Sequence, residues 1–282
     1  MMVKEIAHAY LLGGADVLTT NTFSAREVLK GRQKDLYPYV IREHINILQK
    51  TIVDQSELAV SFGPYGDCYK PEEAPQSLRE GTDFWHAAVE PLLSVSGKLD
   101  YALAETVNNG EEAIAIAHAL KTLHRLTRGK VQGVMSFIPQ KDGVRLLSGE
   151  RIADVIATLH AELGSLPILF GLNCCAAGAL EPTLRDVTED REASRTGAQF
   201  RFLYPNASDL DPLQLEQSPE NKVSRPPEAI GKTLSELVRQ YEKSLPGATA
   251  HIFINECCGG TPERTSIIAK EVRVRTPELP VS

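Results

Sequence analysis

The chain has 282 residues, a net charge of −7 and a pI of about 5.6, with 42% apolar and 24% charged residues. This acidity, without any basic block, argues against nucleic acid as a partner, and no apolar run approaches the ~20 residues a membrane span needs. The opening Met1-Met2-Val3-Lys4-Glu5 lacks the apolar core of a signal peptide, so the five cysteines read as thiols or metal ligands in a reducing, cytoplasmic compartment rather than as a disulfide framework.

In chain order, Val3, Ile6, Ala7, Tyr10 and Leu11 fall at helical spacing, and Gly13-Gly14 stops that helix. Residues 15–21 read as a strand. Val40, Ile41, Ile45, Leu48 and Ile52 mark a long amphipathic helix over 38–55, followed by a strand over 57–63. The polar stretch 64–81, rich in Pro and Gly, is too long for a plain connector and reads as a mobile active-site loop closing over substrate. Beyond it, helices are expected over 84–95, 111–123, 150–163, 229–243 and 262–272. Strands are expected over 100–106, 131–138, 167–174, 200–206 and 248–255. Residues 178–198 are only weakly periodic and allow a short helix, 207–227 read as loop, and 275–282 as a frayed tail.

Seven strands alternating with helices predict right-handed βαβ units and a parallel sheet in one domain over 1–282. The expected architecture is α/β, a (β/α)8 TIM-type barrel with its first strand missing, because the chain opens on a helix. An open doubly wound sheet is the alternative, but no glycine-rich dinucleotide fingerprint follows an early strand.

Four of the five cysteines fall at two strand ends: Cys174-Cys175 closes GLNCC (171–175) and Cys257-Cys258 begins the thiol part of ECCGGTPE (256–263). Parallel α/β folds place their chemistry at such carboxyl ends. Zn²⁺ favours thiolates, and a catalytic zinc uses three protein ligands plus an open position, which Cys257, Cys258 and one of Cys174 or Cys175 would supply. Gly259-Gly260 permits the sharp turn that lets adjacent cysteines address one ion. Two plainer readings stand beside this one: cysteines as small buried hydrophobes, and a vicinal disulfide.

Taken together, these segments resemble the homocysteine S-methyltransferase family, whose barrels carry a G-x-N-C strand end and a later G-G-C-C-G-T-x-P-E-H-type motif. AHAYLLGGADVLTTNTFSA (7–25), SFGPYGDCY (61–69), ALAETVNNGEEA (102–113), SFIPQKDGVRLLSGE (136–150) and YPNA (204–207) fit the same family in the same order. The resemblance implies a zinc-dependent enzyme with Cys174, Cys257 and Cys258 as metal ligands and Cys175 as an adjacent thiol outside the ligand set. It implies Glu105 near the amino group of homocysteine, with Asn21 and Asn173 as polar groups facing substrate. A cap or surface acid is the alternative for Glu105, and turn stabilisation for the two asparagines. The implied partners are homocysteine and a sulfonium methyl donor, S-methylmethionine or S-adenosylmethionine; a cobalamin donor would need further domains.

The sequence departs from the family pattern in three places. The opening strand with its Asp-Gly-[GA]-x-G-T motif has no counterpart, Asn255-Glu256 replace a glycine pair, and Gly260 and Arg264 stand where Thr and His are usual. These departures leave room for a zinc-binding relative that does not transfer methyl groups and acts as a structural or regulatory partner. They also leave an open barrel edge available for self-association.

Overall fold

A computed structural model describes residues 2–52, 56–165, 167–210, 213–214, 223–242 and 252–275. Apolar runs with β character alternate with amphipathic stretches, and the chain folds accordingly. The elements are α1 (Met2–Leu12), β1 (Val17–Thr19), α2 (Arg26–Lys30), α3 (Tyr37–Gln49), β2 (Glu57–Phe62), α4 (Leu78–Val89), β3 (Tyr101–Val107) and α5 (Gly110–Leu126). They continue with β4 (Gln132–Phe137), α6 (Ile152–Leu163), β5 (Ile168–Asn173), α7 (Leu180–Glu189), β6 (Phe200–Tyr204), α8 (Pro227–Glu242), β7 (Phe253–Ile254) and α9 (Pro262–Arg275).

All seven strands are parallel and pair strictly in chain order from β1 to β7. Each βα unit lays its strand beside the last, and the sheet curls into a nearly closed barrel. Among the described residues β1 pairs only with β2, and β7 only with β6. The helical layer closes the circle where the sheet does not. Tyr10 of α1 donates to the carbonyl of Gly260 at 3.3 Å, and Asp16 faces Arg273 of α9 at 3.9 Å. Gly13 makes this approach feasible, since a Cβ there would stand 2.7 Å from the carbonyl oxygen of Pro262.

Alternation along the strands sorts the core into two parts. Leu58, Val60, Ala102, Ala104, Met135 and Phe137 pack outward against the helices, in a continuous layer with Trp85, Ile116, Leu120 and Leu159. Leu103, Val134 and Phe202 form a separate inner cluster with Tyr101, Leu169, Tyr204 and Phe253. The rings of Tyr101, Phe202 and Phe253 meet there at centroid separations of 4.8–5.4 Å. This plug fills the barrel interior and leaves the carboxyl ends of the strands as the polar mouth.

Several element ends differ from expectation. The loop after β2 stops at Ser77, whose Oγ accepts the N–H of Glu80 and caps α4, so Gly81 is buried inside a helix rather than in the loop. That helix starts six residues before the expected position because capping, not apolar spacing, sets its origin. The loop itself is laced in place. Asn108 Nδ2 donates to the carbonyls of Asp67 and Cys68 at 3.2 and 3.1 Å, and Lys30 donates to the carbonyl of Tyr65. β1 is shorter than expected, and in the described part of the last strand Phe253–Ile254 are paired. The expected start of the last strand and the frayed tail from 276 lie outside the described residues.

Candidate metal centre

β5 ends in Asn173 and the chain turns at once: Cys174 adopts φ +54°, a left-handed conformation that is uncommon for any residue but Gly. The turn sends Cys174 toward the barrel mouth and Cys175 into the outer core, where it is fully buried. After β7, Gly259 at φ +88° turns the chain the other way, and Cys257 and Cys258 both face Cys174. The three Sγ atoms lie within 4.8 Å of one another. Cys174 Sγ is 2.9 Å from Cys257 Sγ and 3.8 Å from Cys258 Sγ, and none of the five cysteines is in a disulfide. Of the two plainer readings, burial as a small hydrophobe describes Cys175, and no vicinal disulfide is formed.

The two cysteine turns are tied by the segment after β6. Asn206 N–H donates to the carbonyl of Cys175 at 2.7 Å, and its Oδ1 accepts the N–H of Cys258 at 3.2 Å. The N–H of Cys257 donates to the carbonyl of Pro205 at 2.7 Å. Asn206 was not singled out from the sequence as a site residue, although the YPNA stretch containing it was.

The donor set fits a divalent cation. The neighbouring thiols of Cys257 and Cys258, and then burial, push the Cys174 thiol well above its ordinary range. The Cys257 thiol is raised too, because the proximity of Cys258, burial and the charge of Glu105 outweigh the lowering effect of Cys174. Three sulfurs this close cannot all ionise without a compensating positive charge, which a metal supplies. With Zn–S bonds of about 2.3 Å, tetrahedral sulfurs stand about 3.8 Å apart. The Cys174–Cys258 separation of 3.8 Å matches that spacing, while the Cys174–Cys257 pair at 2.9 Å would have to open.

Asn173 lies beside the sulfurs, fully buried, with Nδ2 4.0 Å from Cys257 Sγ, and its Oδ1 accepts the N–H of Thr106 at 3.0 Å. Glu105 precedes Thr106 on β3, where the β3–β4 register shifts between Ala104 and Val107. Such an irregularity re-aims side chains at a sheet's end. Although partly accessible, Glu105 is surrounded by protein, and burial pushes its carboxyl up to about 7 against the lowering pull of Ser61 and Tyr204; the charge of Cys258 adds to the rise. Asn21 is different: it is exposed just past β1. Its neighbours Thr20 and Thr22 turn inward instead, with Oγ1 atoms 2.6 Å apart and both bonded to the backbone of Ser61.

Other groups at the mouth lie in stretches that carried the resemblance but were not singled out as site residues. The hydroxyls of Tyr204 and Ser136 are buried without a well-formed hydrogen bond. The loop after β2 brings Cys68 and Tyr69 to the same place. Burial, and then the thiols of Cys174, Cys258, Cys68 and Cys257, push the Tyr69 hydroxyl far up, while burial pushes Cys68 up to about 12.

Known proteins resemble this chain in fold and in sequence. The apo structure of beta-glucosidase 1317 is similar in fold, with a TM-score of 0.50 at 12% identity, covering 99% of this chain and 88% of that one. Homocysteine S-methyltransferase 1 of Zea mays is 24% identical over 304 residues, spanning 98% of this chain and 85% of that protein. The family model for homocysteine S-methyltransferase matches residues 1–272, a span that takes in every strand of the barrel and both cysteine turns. The chain therefore belongs to the homocysteine S-methyltransferase family.

Proposed function

We propose that this chain transfers a methyl group from a sulfonium donor, S-methylmethionine or S-adenosylmethionine, to the sulfur of homocysteine, giving methionine. In this reading Cys174, Cys257 and Cys258 hold a Zn²⁺ ion. The observation that supports it most is the meeting of three thiols within 4.8 Å at the carboxyl ends of β5 and β7. When bound, Zn²⁺ keeps a coordinated thiol deprotonated at neutral pH, so the homocysteine sulfur is a nucleophile there.

The remaining work belongs to the protein's own residues. Glu105, poised near 7, takes the ammonium group of homocysteine, whose positive charge draws the carboxyl into its ionised form. Asn173 holds the β3 and β5 ends together beside the thiols. The buried hydroxyls of Tyr204 and Ser136, which lie near each other and near Glu105 without well-formed hydrogen bonds, meet polar groups of the substrate. Asn21 contributes from the outer rim, and Cys68 and Tyr69 cover the site and exclude water. Five cysteines outside any disulfide suit a reducing, cytoplasmic compartment, and no described helix is long and apolar enough to cross a membrane.

A second reading is favoured by the β1 and β7 edges, which pair with no further strand among the described residues. There the chain binds zinc without methyl transfer and self-associates through those edges as a structural or regulatory partner. The test is elemental analysis of protein prepared in reducing, chelator-free buffer, followed by methionine formation with each donor. One zinc per chain with turnover on either donor supports the first reading, and Cys258→Ser should lose both. Zinc without turnover, accompanied by a dimer in sedimentation, supports the second. Absence of zinc overturns both.

A further inference from the structure

Glu256 immediately precedes the two-cysteine turn, and its side chain is completely buried. A buried carboxylate needs a partner, and it has one: Arg264, in the first turn of α9, donates from Nε and Nη2 at 2.6 and 2.5 Å. Arg264 Nη2 also donates to the carbonyl of Arg225 at 2.9 Å. The N–H groups of Ser224 and Arg225 then both reach the carbonyl of Ala207, at 2.9 and 3.1 Å. Ala207 in turn donates its N–H to the carbonyl of Cys258 at 2.9 Å. The path thus leaves the cysteine turn through Glu256 and returns to it at Cys258. These bonds close a ring that includes the backbone from Glu256 to Cys258, and the Glu256–Arg264 pair is its ion pair. A second brace runs alongside, Thr265 Oγ1 to Asn255 Oδ1 at 3.0 Å.

We infer that Glu256 and Arg264 are a positioning pair that fixes the directions in which Cys257 and Cys258 present their sulfurs; the inference rests on the metal site proposed above. Two of the positions where the sequence leaves its family's pattern, Glu256 and Arg264, are thus one coupled change. Glu256 adds a buried negative charge one residue before Cys257, and Arg264 cancels it locally. The two-pronged bond does more than neutralise. It holds the carboxylate plane, and with it the backbone entering Cys257, against the start of α9. Arg264 meets one other acid, Glu228 at the start of α8, as a longer-range charge.

The experiment compares wild type, Arg264→Met, Arg264→Lys and the double variant Glu256→Gln/Arg264→Met in two measurements. The first is affinity for Zn²⁺ by chelator competition, together with the thiolate-to-metal and ligand-field bands of the Co²⁺ form. The second, on metal-free protein, is the rate of iodoacetamide labelling of each cysteine, resolved by mass spectrometry. Arg264→Met should weaken Zn²⁺ binding by about 10–100-fold, the range seen when a partner behind a metal ligand is removed. It should also shift the Co²⁺ bands and speed labelling of Cys257 and Cys258 severalfold, leaving Cys175 unchanged. The double variant, lacking the uncompensated charge, should recover part of the affinity but not the slow labelling. Arg264→Lys, which keeps the charge but not the fork, should fall between wild type and Arg264→Met, and it carries the test if Arg264→Met does not fold.

Zn²⁺ affinity, Co²⁺ bands and labelling rates all within twofold of wild type would overturn the inference. So would faster labelling spread equally over all cysteines, which would mark general loosening. Wild type that takes up no metal but whose variants still label faster at Cys257 and Cys258 would sink the metal reading and leave the positioning role standing.

Discussion

Glu112 is buried to 1% exposure at the start of α5, and one oxygen of its carboxyl accepts two bonds. The N–H of Tyr65 donates at 2.6 Å and the indole of Trp85 at 3.1 Å. Burial nevertheless dominates and pushes the carboxyl from 4.5 up to about 7, with the Tyr65, Trp85 and Asn109 bonds and Arg26 pulling the other way. The folded protein therefore holds this proton more tightly than the unfolded chain. That contribution to stability is full below pH 4.5 and is lost as pH rises through about 7. Its size is on the order of 3 kcal/mol. Glu105 has the same sign and the same window. Glu112→Gln keeps the accepting oxygen and removes the titration. Thermal melts of metal-free protein should fall between about pH 5 and pH 8 in wild type, and by roughly half as much in the variant. A variant curve parallel to wild type would show that Glu112 is not the titrating group.

At the scale of elements, the ends of β3 and β5 are joined by a single side chain. Thr106 and Cys174 both take positive φ, at 56° and 54°, and a β-branched residue there is strained. Asn173 adjoins one and accepts a hydrogen bond from the other. Asn173→Ala would leave the N–H of Thr106 buried without its acceptor, at a cost of about 1–3 kcal/mol. Urea denaturation should show that loss, and a change below about 0.5 kcal/mol would mean that Thr106 finds another partner. The sequence makes the strands themselves and the two cysteine pairs plain, because apolar runs and CC doublets are local signals. It hides what register decides. Tyr204 and Ser136 reach the mouth only because their strands present those faces, and Glu105 does so beside a shift in pairing. The start of α4 was legible after all: Ser77 followed by Glu80 is the S-x-x-E capping pattern, overshadowed by the surrounding Pro and Gly.

For the molecule as a whole, closure among the described residues rests on α1 meeting α9 rather than on a seventh-to-first strand pairing. Gly13 is the point of closest approach, where an added Cβ would collide with the backbone oxygen of Pro262. Pro262 follows Gly260 and opens the helix that carries Arg264, so a push here is felt at the cysteine turn. Gly13→Ala should lower stability by about 1–3 kcal/mol, as overpacking generally does. It should also weaken metal binding more than a surface Gly97→Ala control, whose Cβ would meet nothing within 4 Å. Equal melting and equal Zn²⁺ affinity for the two variants would show that α1 and α9 can slide apart freely.

The strand order has a consequence for how the chain is made. Strands that pair in the order of synthesis can each dock on the one before as they leave the ribosome. The three thiols cannot follow that schedule. Cys174 emerges 83 residues ahead of Cys257, roughly 4–17 s at ordinary translation rates. For that interval a nascent chain carries most of its barrel and only one of the three sulfurs. The centre is therefore assembled last, when the final strand and α9 arrive. Ribosome-stalled chains ending before residue 257 would hold folded βα units that cannot yet form the three-thiol site.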